Sequence, residues 1–526
     1  MKIYSFSPFG YEGALVTVEV DLRRGIPAVD LVGLADGAVK EARERMHAAI
    51  RNSGFPFPPE RVLISLSPAD LRKEGAGFDL PIALGVLGAS AEASNTADFL
   101  PDPILVMGEL ELSGKVRAVK GVHAAVATAA ACGIMRCIVP AQNACEAMEV
   151  TGVRVYGADT LENAFRALSD PSFFMNRNIG RGAADIPPDC EEKDGIFFPK
   201  MQDGFEYAEI TGQRELIRGL QIAAAGGHNL LAVGAPGCGK TMAIQKFPAI
   251  NPVLTMEEAQ SVTRIWSLAG LIKPNTPLIR IPPFRIPHQT ASIEGVCGGG
   301  PNCRPGEISL AHNGVLFLDE AAEFRSSVLQ MLRVPLESET ITLSRAGRTT
   351  TYPAKFQLLM AANPCPCGNY GSKTKICLCS SKSIDQYWKK FSAPLLDRVD
   401  LRIFVENQSE GGNEQEAVEQ RKDLVTTEEI REGIARAVKI QRKRQGTKNA
   451  RLSPQEIQDF CPLEKDVRDV LDKAIVRYGF SPRAISSCIK VARTIADIAA
   501  SEKIAAPHMT EAINYHKLCA NMRLEL

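Results

Sequence analysis

A chain of 526 residues is long enough for three or four domains with ordinary cores, which excludes one small fold. Its 61 Lys and Arg balance 61 Asp and Glu, which excludes holding a nucleic acid or an anionic membrane by bulk positive charge. Apolar content of 45%, charged content of 23%, 42 Gly and 33 Pro exclude collagen-like, coiled-coil and largely disordered chains.

In chain order, Met1 to Pro8 has no charged region leading into an apolar stretch, so no secretory signal is predicted and a cytoplasmic location is expected. Residues 1–168 mix strand-like runs (Leu15–Val20, Arg61–Leu66) with helical periodicity over Gly37–Arg51, predicting an α/β domain. The apolar run Ala124–Met135 is too short to cross a bilayer and predicts a buried helix, so no membrane partner is expected. Residues 169–203 are polar and turn-rich, the pattern of an interdomain linker. Residues 204–405 alternate helical segments with short apolar strands, predicting a parallel sheet with helices on its faces. After a second break at Glu406–Asn413, residues 425–526 read as a helical domain.

The strand-like Leu230–Val233 runs into Gly234-Ala235-Pro236-Gly237-Cys238-Gly239-Lys240-Thr241. Glycines at this spacing let backbone N–H groups wrap phosphates, Lys240 brings a point charge to the β- and γ-phosphates, and the Thr241 hydroxyl suits Mg²⁺. The next apolar strand, Val315–Leu318, ends in Asp319-Glu320. Phosphoryl chemistry needs one carboxylate to orient Mg²⁺, here Asp319, and one to activate water, here Glu320. A third strand ends at Asn363, placed to reach the γ-phosphate or attacking water, although an Asn before Pro364 also suits a turn. Arg398 offers a rigid cationic fork to a transferring phosphoryl group, or a surface ion pair.

Fourteen Cys without a predicted signal suggest reduced thiols, and Cys365, Cys367, Cys377 and Cys379 suffice for a tetrahedral structural Zn²⁺. Residues 431–526 carry 18 Lys or Arg against 11 Asp or Glu, and Arg436–Arg451 holds seven bases and no acid. That segment suits either sequence-independent phosphate contact or a solvated helix face. Ile341–Thr350 alternates like a hairpin turning at Ala346-Gly347, and its Arg345 and Arg348 are candidate DNA contacts or braces of the hairpin itself.

These elements, with Phe284-Arg285, Pro287-His288, Pro305-Gly306-Glu307, Asn363-Pro364-Cys365-Pro366-Cys367-Gly368 and Pro394–Arg398, resemble the Mg-chelatase-like AAA+ ATPases of the ComM/YifB branch over essentially the whole chain. The resemblance implies an AAA+ core with a C-terminal helical lid, ATP and Mg²⁺ as cofactors, Asn363 as sensor 1, Arg398 as a finger acting in trans and Arg483 as the sensor-2 arginine. It also implies a homo-hexameric ring that moves on DNA as a helicase or branch-migration factor in recombination. The alternative is a Mg-chelatase-type subunit remodelling a protein partner. Gln289 stands where the family often has a second His. Residues 1–168, notably Lys73–Asp79 and Gly108–Val116, resemble a Lon-protease-like domain in which the nucleophile's place falls on Gly77 and the base's place near Ala125, so peptide hydrolysis is not expected.

Overall fold

A computed structural model of the chain describes residues 2–34, 36–69, 71, 73, 75–96, 98–176, 189–300, 303–345, 348–371, 375–405 and 424–524. In the N-terminal part, eight strands form one mixed sheet in the order 175–176, 154–158, 136–140, 104–106, 3–7, 14–23, 61–67, 29–32. Alternate residues feed two faces, as a pleat requires. Ile104, Val106 and Ile138 join the core under the helices Gly37–Asn52 and Asp79–Ala93, while Leu105, Cys137 and Val139 face the helix Val122–Ala131. Ala125, from the run expected to be a buried helix, is fully buried in that last helix. Among the described residues, no helix is long and apolar enough to cross a membrane.

The second sheet has five parallel strands in the order Phe284–Arg285, Val315–Leu318, Gln357–Ala362, Leu230–Gly234, Leu401–Val405. All six residues of Gln357–Ala362 and all five of Leu230–Gly234 are buried, as continuous apolar strands in a covered parallel sheet should be. Among the described residues five helices follow, Thr427–Arg444, Pro454–Phe460, Lys465–Tyr478, Pro482–Ile498 and Ala506–Leu524. The first begins with a reciprocal Thr426–Glu429 capping box, which satisfies two otherwise orphaned backbone donors. This bundle shares one continuous apolar core with the sheet's helix Arg214–Gly226, so lid and sheet are fused rather than tethered.

Within residues 169–203, residues 177–188 lie outside the described residues, but Cys190–Lys193 and Ile196–Pro199 form an antiparallel hairpin. It belongs with the second sheet and the bundle, because Arg431 of the bundle donates to the Pro199 carbonyl at 2.7 Å and pairs with Glu191 at 3.1 Å.

The N-terminal domain docks through Val122–Ala131 against the helix Met256–Ala269. Gly121 N donates to the Ser267 carbonyl at 2.9 Å, and Ser267 Oγ donates to Glu146 at 2.8 Å. His123 lies in this seam with neither ring nitrogen partnered among the described residues, and burial holds its pKa down to about 4. A group depressed on folding stabilises above its unfolded value, near 6.5, and that contribution is lost as pH falls toward 4, at about 1.4 kcal/mol per pH unit. Thermal unfolding should therefore move to lower temperature between pH 7 and pH 5, and His123→Leu should flatten the dependence. An unchanged slope would remove His123 as a cause.

Candidate functional site

Three strand ends meet at the carboxyl edge of the parallel sheet, where ligand crevices form in open α/β folds. Gly237 and Gly239 of the loop after Leu230–Gly234 take φ of +80° and +86°, conformations that suit glycine and turn the backbone around a small space. Lys240 folds over this loop, its Nζ donating to the carbonyls of Gly234 at 2.7 Å and Ala235 at 2.8 Å and lying 3.5 Å from Cys238 Sγ. Gln213 Nε2 fixes the Cys238 carbonyl at 2.6 Å. Nothing in the sequence marked Gln213, because it reaches the loop from 25 residues away.

Thr241 Oγ1 donates to Asp319 Oδ1 at 3.0 Å, so the hydroxyl and carboxylate expected to hold Mg²⁺ are brought together. That separation matches the roughly 2.9 Å edge between adjacent ligands of an octahedral ion bound at 2.0–2.1 Å, so the residues present fit the ion. Glu320 sits in left-handed backbone, φ +47°, which turns its carboxylate out of the strand line. Its Oε2 accepts from Gln289 Nε2 at 2.5 Å. The position marked only as a departure from the family pattern thus holds the expected base. Asn363 leaves the central strand Gln357–Ala362, whose two neighbours carry the glycine loop and Asp319-Glu320.

Beyond Asn363, the four thiols Cys365, Cys367, Cys377 and Cys379 all lie within 4.8 Å of one another. Contacts of 3.4, 3.7 and 3.6 Å link the first three, close to the roughly 3.8 Å edge of a tetrahedron with Zn–S near 2.3 Å. The Asn369 backbone N–H, then Cys365, pull the Cys367 thiol down to about 6, whereas the thiols of Cys377 and Cys379 are raised, so the geometry rather than the titration carries the ligand set. A Cβ on Gly368 would meet Pro236 at 2.4 Å, so this knuckle rests directly on the glycine loop.

Arg398 and Arg483 are not at this edge. Asn229 Nδ2, just before the strand Leu230–Gly234, donates to the Arg398 carbonyl at 2.8 Å. Both arginines line a cavity of about 460 Å³ with Gly227, Asn229 and Phe356, residues that precede strands. Strands of five and six residues put roughly 15–20 Å between this amino edge and the glycine loop. Arg398 Nη2 donates to Glu337, and Arg483 Nη1 lies 3.8 Å from the same carboxylate. Neither arginine reaches the chain's own phosphate loop.

The hairpin Thr340–Arg345 with Arg348–Pro353 forms as expected between the Asp319 and Asn363 strands in chain order. Its turn and the side chains of Arg345 and Arg348 lie outside the described residues. The N-terminal domain grips its second strand, Tyr11 N donating to Thr350 Oγ1 at 3.2 Å. The basic stretch Arg436–Arg451 is partly spent inside the fold. Arg444 pairs with Asp497 at 2.8 Å and Arg451 with Glu339 at 3.2 Å, leaving Arg436, Lys439, Arg442 and Lys443 on the solvent face. The Lon-like pair finds no chemistry at its two places. Gly77 carries no side-chain nucleophile, and Ala125 is buried in the helix Val122–Ala131.

Comparison with known proteins supplies three family matches. A model described as magnesium chelatase, subunit ChlI, matches residues 206–412, another described as subunit ChlI of Mg-chelatase matches 18–143, and the ChlI C-terminal model matches 425–516. Competence protein ComM of Haemophilus influenzae is 38% identical over 519 residues, 98% of this chain and 97% of that protein. An uncharacterized protein, YifB, of Escherichia coli is 38% identical over 517 residues, 98% of this chain and 97% of that protein. The magnesium-chelatase 38 kDa subunit of Cereibacter sphaeroides is 23% identical over 180 residues, 31% of this chain and 54% of that protein.

Proposed function

The chain belongs to the Mg-chelatase-like ComM/YifB family of AAA+ ATPases, and from that premise we propose that it is a DNA motor, a homo-hexameric helicase or branch-migration factor of recombination. Lys240 and the loop amides hold the β- and γ-phosphates of ATP, and Thr241 with Asp319 hold Mg²⁺, which supplies charge neutralisation on the phosphates. Glu320 takes the proton of the attacking water, with Asn363 orienting that water from the neighbouring strand. Arg398 and Arg483 act on the nucleotide of the next copy in the ring. Their position at the amino edge supports this, since a finger that cannot reach its own phosphates needs a neighbour's.

The observation that carries the DNA reading is the two-stranded hairpin rooted between the water-activating strand and the Asn363 strand. The residues at its feet, Glu339 and Ala354, line the cavity that holds Arg398 and Arg483, and Arg345 and Arg348 flank its turn, where they would track a phosphate backbone. The protein-remodelling alternative draws on the three magnesium-chelatase family matches, but the chelatase subunit of Cereibacter sphaeroides aligns with 31% of this chain, against 98% for ComM. The test is ATP hydrolysis with and without single-stranded, forked and four-way-junction DNA at low salt, beside Lys240→Ala. Stimulation by DNA that Arg345→Ala abolishes, with DNA-free hydrolysis kept, supports the motor. No stimulation and no binding would overturn it.

The four-thiol knuckle binds one structural Zn²⁺ on this reading, with Cys365, Cys367, Cys377 and Cys379 as its ligands. Metal analysis of the purified chain should give one zinc per chain, lost in Cys365→Ser. Because Trp388 Nε1 donates to the Pro364 carbonyl at 3.0 Å, the loss should also shift tryptophan fluorescence. A metal-free wild-type chain purified without chelator would contradict the assignment.

A further inference from the structure

The two arginines of the amino edge come from different parts of the chain, the sheet domain and the helical lid, yet converge on one carboxylate. Glu337 lies on the short helix Pro335–Ser338, and its side chain is 61% exposed, so the packing around it does not call for a carboxylate. Two residues on, Glu339 holds Arg451 at 3.2 Å and Lys355 at 3.9 Å, while its carbonyl accepts from Ala354 N at 2.7 Å. Thr340, the next residue, opens the hairpin, and Ala354 follows its last residue, Pro353. Both feet of the hairpin therefore stand on the wall of the arginine cavity.

That cavity is lined by five cations, Lys355, Arg398, Arg451, Arg483 and Lys490, against the carboxylates Glu337, Glu339 and Asp400. Asp400 is occupied by Ser487 at 2.5 Å and His228 at 3.3 Å. The Arg398 fork is satisfied at Nη1 by the Pro394 carbonyl at 2.6 Å and at Nη2 by Glu337, whereas its buried Nε has no partner among the described residues. Surplus positive charge with a buried donor left over suits an anion carrying more charge and more acceptor oxygens than one carboxylate, as a nucleotide's terminal phosphate does.

Resting on the reading that Arg398 and Arg483 complete a neighbour's site, we propose that Glu337 is a positioning residue, the counter-ion that holds both arginines until the neighbouring copy's γ-phosphate displaces it, and that this exchange is transmitted to the hairpin. Glu337 is solvent-exposed although Arg398 is not, so water screens the pair from one side, and a phosphate with more charge and more acceptor oxygens can outcompete it. Once the arginines leave, Glu337 loses both partners, and the helix that carries it is two residues from the hairpin's first strand. Arrival of nucleotide next door is thereby felt at the DNA-facing element.

The test uses the full chain and compares Glu337→Gln, Glu337→Asp and Arg398→Ala, reading ATP hydrolysis with and without single-stranded DNA. With the competing carboxylate gone, Glu337→Gln should raise DNA-free hydrolysis about threefold and bring the ratio of stimulated to unstimulated rates toward one. Glu337→Asp, which keeps the charge, should return part of the way. Wild-type rates in Glu337→Gln, or a fall in DNA-free hydrolysis like that of Arg398→Ala, would overturn the proposal, the latter by making Glu337 a brace. Undiminished hydrolysis in Arg398→Ala would instead sink the reading of the arginines on which the proposal rests.

Discussion

Glu320→Gln should leave ATP binding intact and lower hydrolysis by about 10²- to 10⁴-fold, the usual contribution of a positioned general base. The substitution keeps the size and the unusual backbone of the residue, φ +47°, and removes only the proton acceptor. Lys240→Ala should behave differently, because Nζ now folded onto the Gly234 and Ala235 carbonyls is the charge expected to meet the phosphates, so binding itself should fail. Fluorescent-nucleotide titration beside phosphate release separates the two. Hydrolysis at the wild-type rate in Glu320→Gln would move the base elsewhere.

Arg398→Ala carries the second large expectation, a loss of about 10³- to 10⁵-fold in hydrolysis with ATP affinity of the isolated chain unchanged. Unchanged affinity follows from position, since Arg398 sits at the opposite edge of the sheet from its own glycine loop. The phosphoryl group in flight gains most from a fixed cationic fork, which Lys cannot reproduce, so Arg398→Lys should recover little. A drop in nucleotide binding by monomeric Arg398→Ala would show that the arginine acts on its own chain.

Much of the candidate nucleotide site was legible in the sequence because the chemistry proposed for it demands contiguous residues. A loop that wraps phosphates with its own amides must be glycine-rich, and a carboxylate beside it must end a neighbouring strand. Asp319 and Thr241 accordingly meet at 3.0 Å. The parallel sheet followed from its unbroken apolar strands. What was not legible depends on distant pairing. Glu337 meets Arg398 across 61 residues, and an exposed Glu on a short helix resembles any other surface acid. Gln289 drew notice only as a missing His, yet it grips Glu320.

The hairpin at 190–199 did carry a signal. Asp194-Gly195 between polar and apolar runs is a two-residue turn, with φ of +51° and +82°, that was submerged in the polar composition around it. Composition also overstated the basic stretch Arg436–Arg451, because counting charge cannot tell a solvent-facing Lys439 from Arg444 held by Asp497.

The central claim is that each nucleotide site is built from two copies, loop and base from one and Arg398 with Arg483 from the next. Mixing Glu320→Gln with Arg398→Ala tests it most directly, since each alone is expected to be nearly inactive. In a randomly assorted equal mixture, roughly one site in four pairs an intact base with an intact finger, so hydrolysis should recover to about a quarter of the wild-type rate. A mixture no more active than its two components would contradict the account.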